Sequence, residues 1–120
     1  MNRCIICNGT KFRDGTVDHR FTVGERQLAV AMPATICEAC GDAYVNLDAL
    51  GAAEREVARR LVEGGAPSGA AFRFVRKALG IPAKTLASEL GVAPETISQW
   101  ESGEQPVDAA VWGQLAHRAR

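Results

Sequence analysis

The chain has 120 residues, 14 Lys+Arg against 14 Asp+Glu, and 47% hydrophobic residues. No window approaches the roughly 20 apolar residues of a membrane span, and a zero net charge argues against coating nucleic acid by bulk charge, although a small basic surface fits within a neutral total. The length allows one medium domain or two small ones, and a half-chain of about 60 residues buries too little surface to be stable without a staple. The N-terminus, Met1-Asn2-Arg3-Cys4, lacks the apolar run of a secretory signal. The expected localisation is therefore cytoplasmic, where closely paired cysteines are more often metal ligands than disulfides.

In chain order, the first feature is Cys4-x2-Cys7, answered 29 residues later by Cys37-x2-Cys40. Between the pairs, Gly15 to Phe21 and Arg26 to Met32 read as strands. Val17, His19 and Phe21 share one face, Leu28, Val30 and Met32 another, and Val23-Gly24-Glu25 suits a hairpin turn. Ala34 to Cys37 and Ala43 to Val45 are expected as two further short strands. From Asp48 to about Glu63 the spacing of Leu50, Val57 and Leu61 predicts a helix, with Asp48 as N-cap and Glu56–Arg60 as an i,i+4 pair. Its other face, Glu54, Arg55, Arg59 and Glu63, reads as solvated surface. Gly64-Gly65-Ala66-Pro67-Ser68-Gly69 reads as a linker. The expected organisation is a metal-binding β domain with a following helix over 1–63, a linker over 64–70 and a helical domain over 71–120.

A C-x2-C pair places two thiolates on one turn at the separation of two vertices of a tetrahedral site, and two such turns complete a Cys4 set for one structural Zn2+ held by Cys4, Cys7, Cys37 and Cys40. Asn8-Gly9 and Gly41 tolerate the positive φ that lets backbone N–H groups fold toward sulfur. A thioredoxin-type dithiol would need a βαβ unit, and none is visible. Two disulfides disagree with the compartment. Four thiolates also leave no open coordination position for catalysis, and His19 and His117 read as ordinary surface or packing residues, so no enzyme is expected. Metal binding in so small a unit is folding free energy, and removing the ion is expected to unfold the N-terminal part.

Beyond the linker, Phe72, Val75 and Leu79 mark one helical stripe, Leu86, Ala87 and Leu90 a second, and Ile97 and Trp100 a third. Small Ala87 where two helices cross, Gly91 at the turn, Pro94 at a first helical position and the apolar offsets around them fit a helix-turn-helix. A helical hairpin packed only for stability would share these features. In a DNA-binding motif, the second helix would turn Glu95, Thr96 and Gln99 to the major groove, with Ser98 and Ser102 as further candidates. Gln99 suits adenine, and Glu95 is either an acceptor for cytosine N4 or a charge at the helix N-terminus. Phosphate contacts are expected from Lys84 first, then Arg73, Arg76 and Lys77.

The run Ile81 to Gly103, closing on Trp100-Glu101-Ser102-Gly103, resembles the helix-turn-helix of phage-repressor-like (Xre/Cro) proteins. With the two C-x2-C pairs ahead of it, nearly the whole chain resembles the MqsA-like antitoxins and their relatives with a YgiT-type zinc finger. The resemblance implies an α+β chain: a small Cys4 zinc-binding β domain with a following helix, then an all-α Xre/Cro-type domain. It further implies a homodimeric repressor on a palindromic operator in double-stranded DNA, and a toxin partner, an mRNA-cleaving ribonuclease, docked on the zinc domain. Glu95 and Gln99 stand where that family has Asn and Arg, so its operator preference does not carry over. A stand-alone regulator of the same build, without a toxin, is the alternative. Charge is divided unevenly, 8 basic and 9 acidic residues in 1–63 against 6 and 5 in the remainder, and four thiolates around one Zn2+ add about −2 to the first part.

Overall fold

In a computed structural model that describes residues 3–64 and 67–120, the apolar–polar alternation makes two twelve-residue strands, β1 (Phe12–Val23) and β2 (Arg26–Cys37). They pair antiparallel around a two-residue turn whose first position, Gly24, has φ 62°, a conformation glycine adopts without strain. The register sets Phe21 opposite Leu28 and Val17 opposite Met32. Leu28, Val30 and Met32 are all buried, as their spacing predicts. Both strands run longer than expected. The separate strand anticipated over Ala34 to Cys37 is instead the continuation of β2 through Pro33. β3 (Ala43–Tyr44) meets β2 only at Thr35 and Ile36, so the N–H that proline lacks breaks no bond to β3.

Helix α1 (Leu47–Glu63) begins one residue before Asp48. The N-cap is Asn46, not Asp48: the Asn46 Oδ1 accepts the Ala49 N–H at 2.7 Å, and Asp48 lies in the first turn, where its charge faces the positive end of the helix dipole. Ala53, Val57, Ala58, Leu61 and Val62 form the buried stripe. Glu56 pairs with Arg60 at 3.0 Å as the spacing implies, and also with Arg59. Arg60 in turn donates to the Ala29 carbonyl of β2 at 2.7 Å, tying the helix to the sheet. Arg59, then Arg60, hold the Glu56 carboxyl below its usual range.

Four shorter helices follow: α2 (Gly69–Ala78), α3 (Ala83–Leu90), α4 (Pro94–Ser102) and α5 (Ala109–Ala119). The expected linker over 64–70 overlaps α2, because Ser68 caps that helix, its Oγ accepting the Ala71 N–H at 3.1 Å, and Gly69 is its first residue. Gly64 closes α1, and Gly65 and Ala66 lie outside the described residues. Asp108 caps α5 by accepting from Ala110 and Val111.

One hydrophobic cluster runs from the hairpin (Leu28, Met32) through α1 (Val57, Leu61) into the helices (Phe72, Val75, Ile97, Trp112, Leu115). Phe21 of β1 meets Phe74 of α2 edge-on, ring centroids 5.9 Å apart. Sheet and helices therefore share a core across the segment that composition alone marks as a boundary.

Gly69 shows how closely α2 approaches α4. A Cβ there would stand 2.5 Å from both the Trp100 and Glu101 carbonyl oxygens. These are backbone atoms of a helix end and cannot swing aside. Gly69→Ala is expected to destabilise by about 1–3 kcal/mol, as overpacking does, although alanine is the better helix former; a melting temperature equal to that of the wild type would contradict this contact.

Candidate metal centre and nucleic-acid interface

Each C-x2-C pair sits on a tight turn closed by its own backbone. The Asn8 N–H donates to the Cys4 carbonyl at 2.9 Å and the Gly41 N–H to the Cys37 carbonyl at 2.8 Å. Asn8 (φ 65°) and Gly41 (φ 78°) are the left-handed residues that let both turns close. The Ile6 N–H reaches Cys4 Sγ and the Gly9 N–H reaches Cys7 Sγ, each at 3.4 Å. Gly9 is close-packed as well, since a Cβ there would lie 3.2 Å from Cys7 Sγ.

Because β2 ends at the second turn and β1 starts beside the first, the hairpin brings the two turns together. All four Sγ atoms lie within 4.8 Å of one another. Cys4 and Cys40 are 3.7 Å apart and Cys7 and Cys37 3.6 Å. A tetrahedral ion with metal–sulfur bonds of about 2.3 Å requires sulfur–sulfur edges of about 3.8 Å. All four are free thiols, and no histidine or carboxylate joins the cluster among the described residues. The donor set fits a closed, four-coordinate metal ion. Cys4 and Cys37 are buried, while Cys7 and Cys40 are exposed.

Composition and spacing do not point to Tyr44. Its hydroxyl lies 3.0 Å from Cys4 Sγ and accepts the Ile5 N–H at 3.2 Å. This hydroxyl, followed by backbone N–H groups, draws the Cys4 thiol down to about 6, and the same contact pushes the Tyr44 phenol up. At Cys40, an exposed residue, an N–H from Asp42 favours the thiolate, but partial desolvation of the sulfur together with the three neighbouring thiols outweighs it and raises the thiol to about 12. The Cys7 thiol is raised as well: the Gly9 N–H lowers it, but the Cys37 thiol beside it and desolvation together outweigh that bond. Within the first cysteine turn Ile5 and Ile6, and after β3 Val45 and Leu47, stand out as exposed apolar side chains, Ile5 at 82% and Leu47 at 84%.

In the helical part, α3 ends at Gly91 (φ 70°), the Val92 N–H returns to the Ala87 carbonyl at 3.0 Å, and Ala87 is buried where α3 meets α4. Pro94 occupies the first position of α4, where its missing N–H is not needed. On α4, Ile97 and Trp100 are buried. Glu95, Ser98 and Ser102 are exposed, and Thr96 and Gln99 half-buried. Glu95, Ser98, Gln99 and Ser102 follow i,i+3/i+4 spacing and share one face. The Ser102 hydroxyl is engaged in its own turn, donating to the Gln99 carbonyl at 3.2 Å. Arg73 lines a cleft of about 360 Å³ together with Pro94, Ser98 and Ser102. Lys84 is exposed at the start of α3, and Lys77 is exposed one turn beyond Arg73.

Arg76 does not belong with these basic residues. It is 7% exposed, and its guanidinium forks onto the Glu101 carboxylate at 3.0 and 3.1 Å and donates to the Ile81 carbonyl at 2.8 Å. It ties α2 to α4 and to the α2–α3 turn, so the expected phosphate contact is corrected to an internal ion pair. The partner's place in Trp100-Glu101-Ser102-Gly103 was the available signal, because a Glu beside a buried Trp at a helix end needs a cation.

Residues 72–118 match the helix-turn-helix family model. The matched segment takes in α3, α4, almost all of α5 and most of α2, so the helical part of the chain is similar to that family. No curated protein matches the chain. The whole is α+β, with the cysteine cluster on a three-stranded antiparallel sheet ahead of the helices. Among the described residues, no helix is long and apolar enough to cross a membrane.

Proposed function

We propose that this chain is a sequence-specific transcriptional repressor that reads double-stranded DNA with α4 and holds one structural Zn2+ at Cys4, Cys7, Cys37 and Cys40. The observation that carries the reading is one face of the second helix of a helix-turn-helix, on which Glu95, Ser98 and Ser102 are exposed and Gln99 half-buried. Laid in the major groove, this face offers Gln99 to an adenine edge, and half-buried Thr96, one turn before Gln99 at the edge of the face, offers its methyl to that of a thymine. Arg73, Lys77 and Lys84, on the preceding two helices, supply the phosphate contacts that set register. A neutral chain gains little affinity from bulk charge, so binding as a homodimer to a palindromic operator, with half-sites about 34 Å apart, supplies the rest. When bound, the ion neutralises and cross-links the four thiolates. The chain's own contribution is two backbone turns that direct N–H groups at sulfur.

Two variants separate base reading from phosphate contact. Gln99→Ala lowers discrimination between operator and a mismatched site by about 1–3 kcal/mol. Lys84→Ala weakens binding to both alike and reduces the salt dependence by about one phosphate contact. Unchanged footprints and salt slopes for both would refute this docking.

The finer proposal is an antitoxin whose metal-bearing lobe neutralises a ribonuclease partner. Its support is the resemblance of the paired modules to that family and the exposure of the large apolar side chains Ile5 and Ile6 within the first cysteine turn and of Val45 and Leu47 just after β3, since exposed apolar surface of this kind is available for protein contacts. A ribonuclease encoded beside this gene and silenced by the purified chain at equal stoichiometry would establish it. Absence of such a neighbour leaves the stand-alone regulator.

A further inference from the structure

We infer that Tyr44 is a positioning residue of the metal centre, a hydrogen-bond donor that holds the Cys4 thiolate in place and strengthens the site's grip on its ion. This rests on the reading of the four cysteines as a metal site. The direction of the bond follows from the other partner of the hydroxyl. A phenol has one proton to give, and the Ile5 N–H at 3.2 Å can only donate, so it occupies a lone pair of the Tyr44 oxygen. The metal-bound Cys4 sulfur, 3.0 Å away, is a thiolate and can only accept. The phenolic proton therefore lies on the sulfur side, and the backbone of the first cysteine turn fixes its aim.

Cys4 needs such a donor. It is buried, with no access to the water that could solvate its charge as at exposed Cys7 and Cys40. The Tyr44 hydroxyl adds a side-chain donor to the backbone N–H donors at this sulfur, among them that of Ile6 at 3.4 Å. The placement also accounts for β3, a strand of only two residues. Pairing Tyr44 with Thr35 of β2 is what carries the ring from the second cysteine turn back over the first. Tyr44 thus connects three segments that meet at the ion, and losing its hydroxyl removes a bond without changing a ligand. Outer-shell partners of this kind are worth about 10- to 100-fold in metal affinity.

Tyr44→Phe keeps the ring and removes only the hydroxyl. In the full-length protein, competition against a chromophoric chelator should show Zn2+ bound at least about tenfold more weakly than in the wild type. The Co2+-substituted variant should retain tetrahedral ligand-field bands, while its sulfur-to-metal charge-transfer band moves to lower energy, because an unbonded thiolate is more electron-rich. A merely structural tyrosine would leave that band in place. Equal affinity and an unmoved band overturn the role of Tyr44 with the metal site intact. A wild-type chain that takes up neither Zn2+ nor Co2+ overturns the metal reading as well. Should the variant fail to fold, the zinc-loaded wild type decides: Tyr44 is the sole tyrosine, so the Raman tyrosine doublet reports on it alone, and a hydroxyl that accepts but does not donate refutes the proposal.

Discussion

Glu101→Ala is expected to destabilise the chain by about 3–5 kcal/mol, the cost of leaving a buried charge without its partner. For a chain of this length that corresponds to a fall of at least about 10 °C in melting temperature. The guanidinium of Arg76 is buried between α2 and α4, and its three hydrogen bonds go to Glu101 and the Ile81 carbonyl. Removing the carboxylate leaves the cation with one neutral acceptor. Replacing the pair together, Arg76→Met with Glu101→Leu, should recover most of the loss, because the desolvation penalty of both ions disappears with them. Thermal or urea melting of the single and the double variant gives both numbers. If Glu101→Ala melts within about 1 kcal/mol of the wild type, the pair does not hold the second helix in place. On the proposed docking, operator affinity should fall along with stability in the single variant, since Glu101 lies at the end of α4.

The second large effect is expected from the metal. Chelation, or Cys37→Ser at the most buried ligand, should abolish stoichiometric metal uptake and lower stability by at least about 3 kcal/mol, a fraction of the apparent binding energy of structural zinc. The loss should be local. The two cysteine turns are held by a few backbone bonds and carry exposed Ile5 and Ile6, so without an ion to cross-link the four sulfurs little fixes one turn against the other. Leu28, Val30 and Met32 of β2 pack into the common core and do not depend on the ion. Hydrogen exchange should therefore accelerate over residues 4–11 and 37–44 and stay slow over 28–32 and in α1. Unchanged exchange at the turns would count against the metal. Collapse of the whole hairpin would instead match the wider unfolding that size alone suggests.

Both expectations differ from a reading by composition in the same way. The Gly- and Ala-rich stretch after Glu63 looks like a hinge, yet the apolar stripes of α1 and α2 face each other across it, and a local window cannot show which stripe a stripe meets. The alternation in β1 and β2 and the spacing of Val57 and Leu61 were legible because each depends on one element's own period. The N-cap was displaced by two residues, since Asn46 and Asp48 are both good caps and only the backbone path into α1 selects between them. Arg76 was misplaced for a related reason. On sequence it is one of three basic residues on a surface helix, and only the packing of α4 against α2 turns it inward.

The sequence by itself determined the four-cysteine cluster and the helix-turn-helix, because C-x2-C spacing, a glycine at a left-handed turn and a proline at a helix start are local constraints that act within a few residues. The tertiary structure alone decided which charges face water and which are spent inside, and it alone brought the Tyr44 hydroxyl to Cys4 across 40 residues of chain. Such contacts depend on the register of β3 against β2 and on the approach of two helices at Gly69, distances set by the whole core and not written in any one segment.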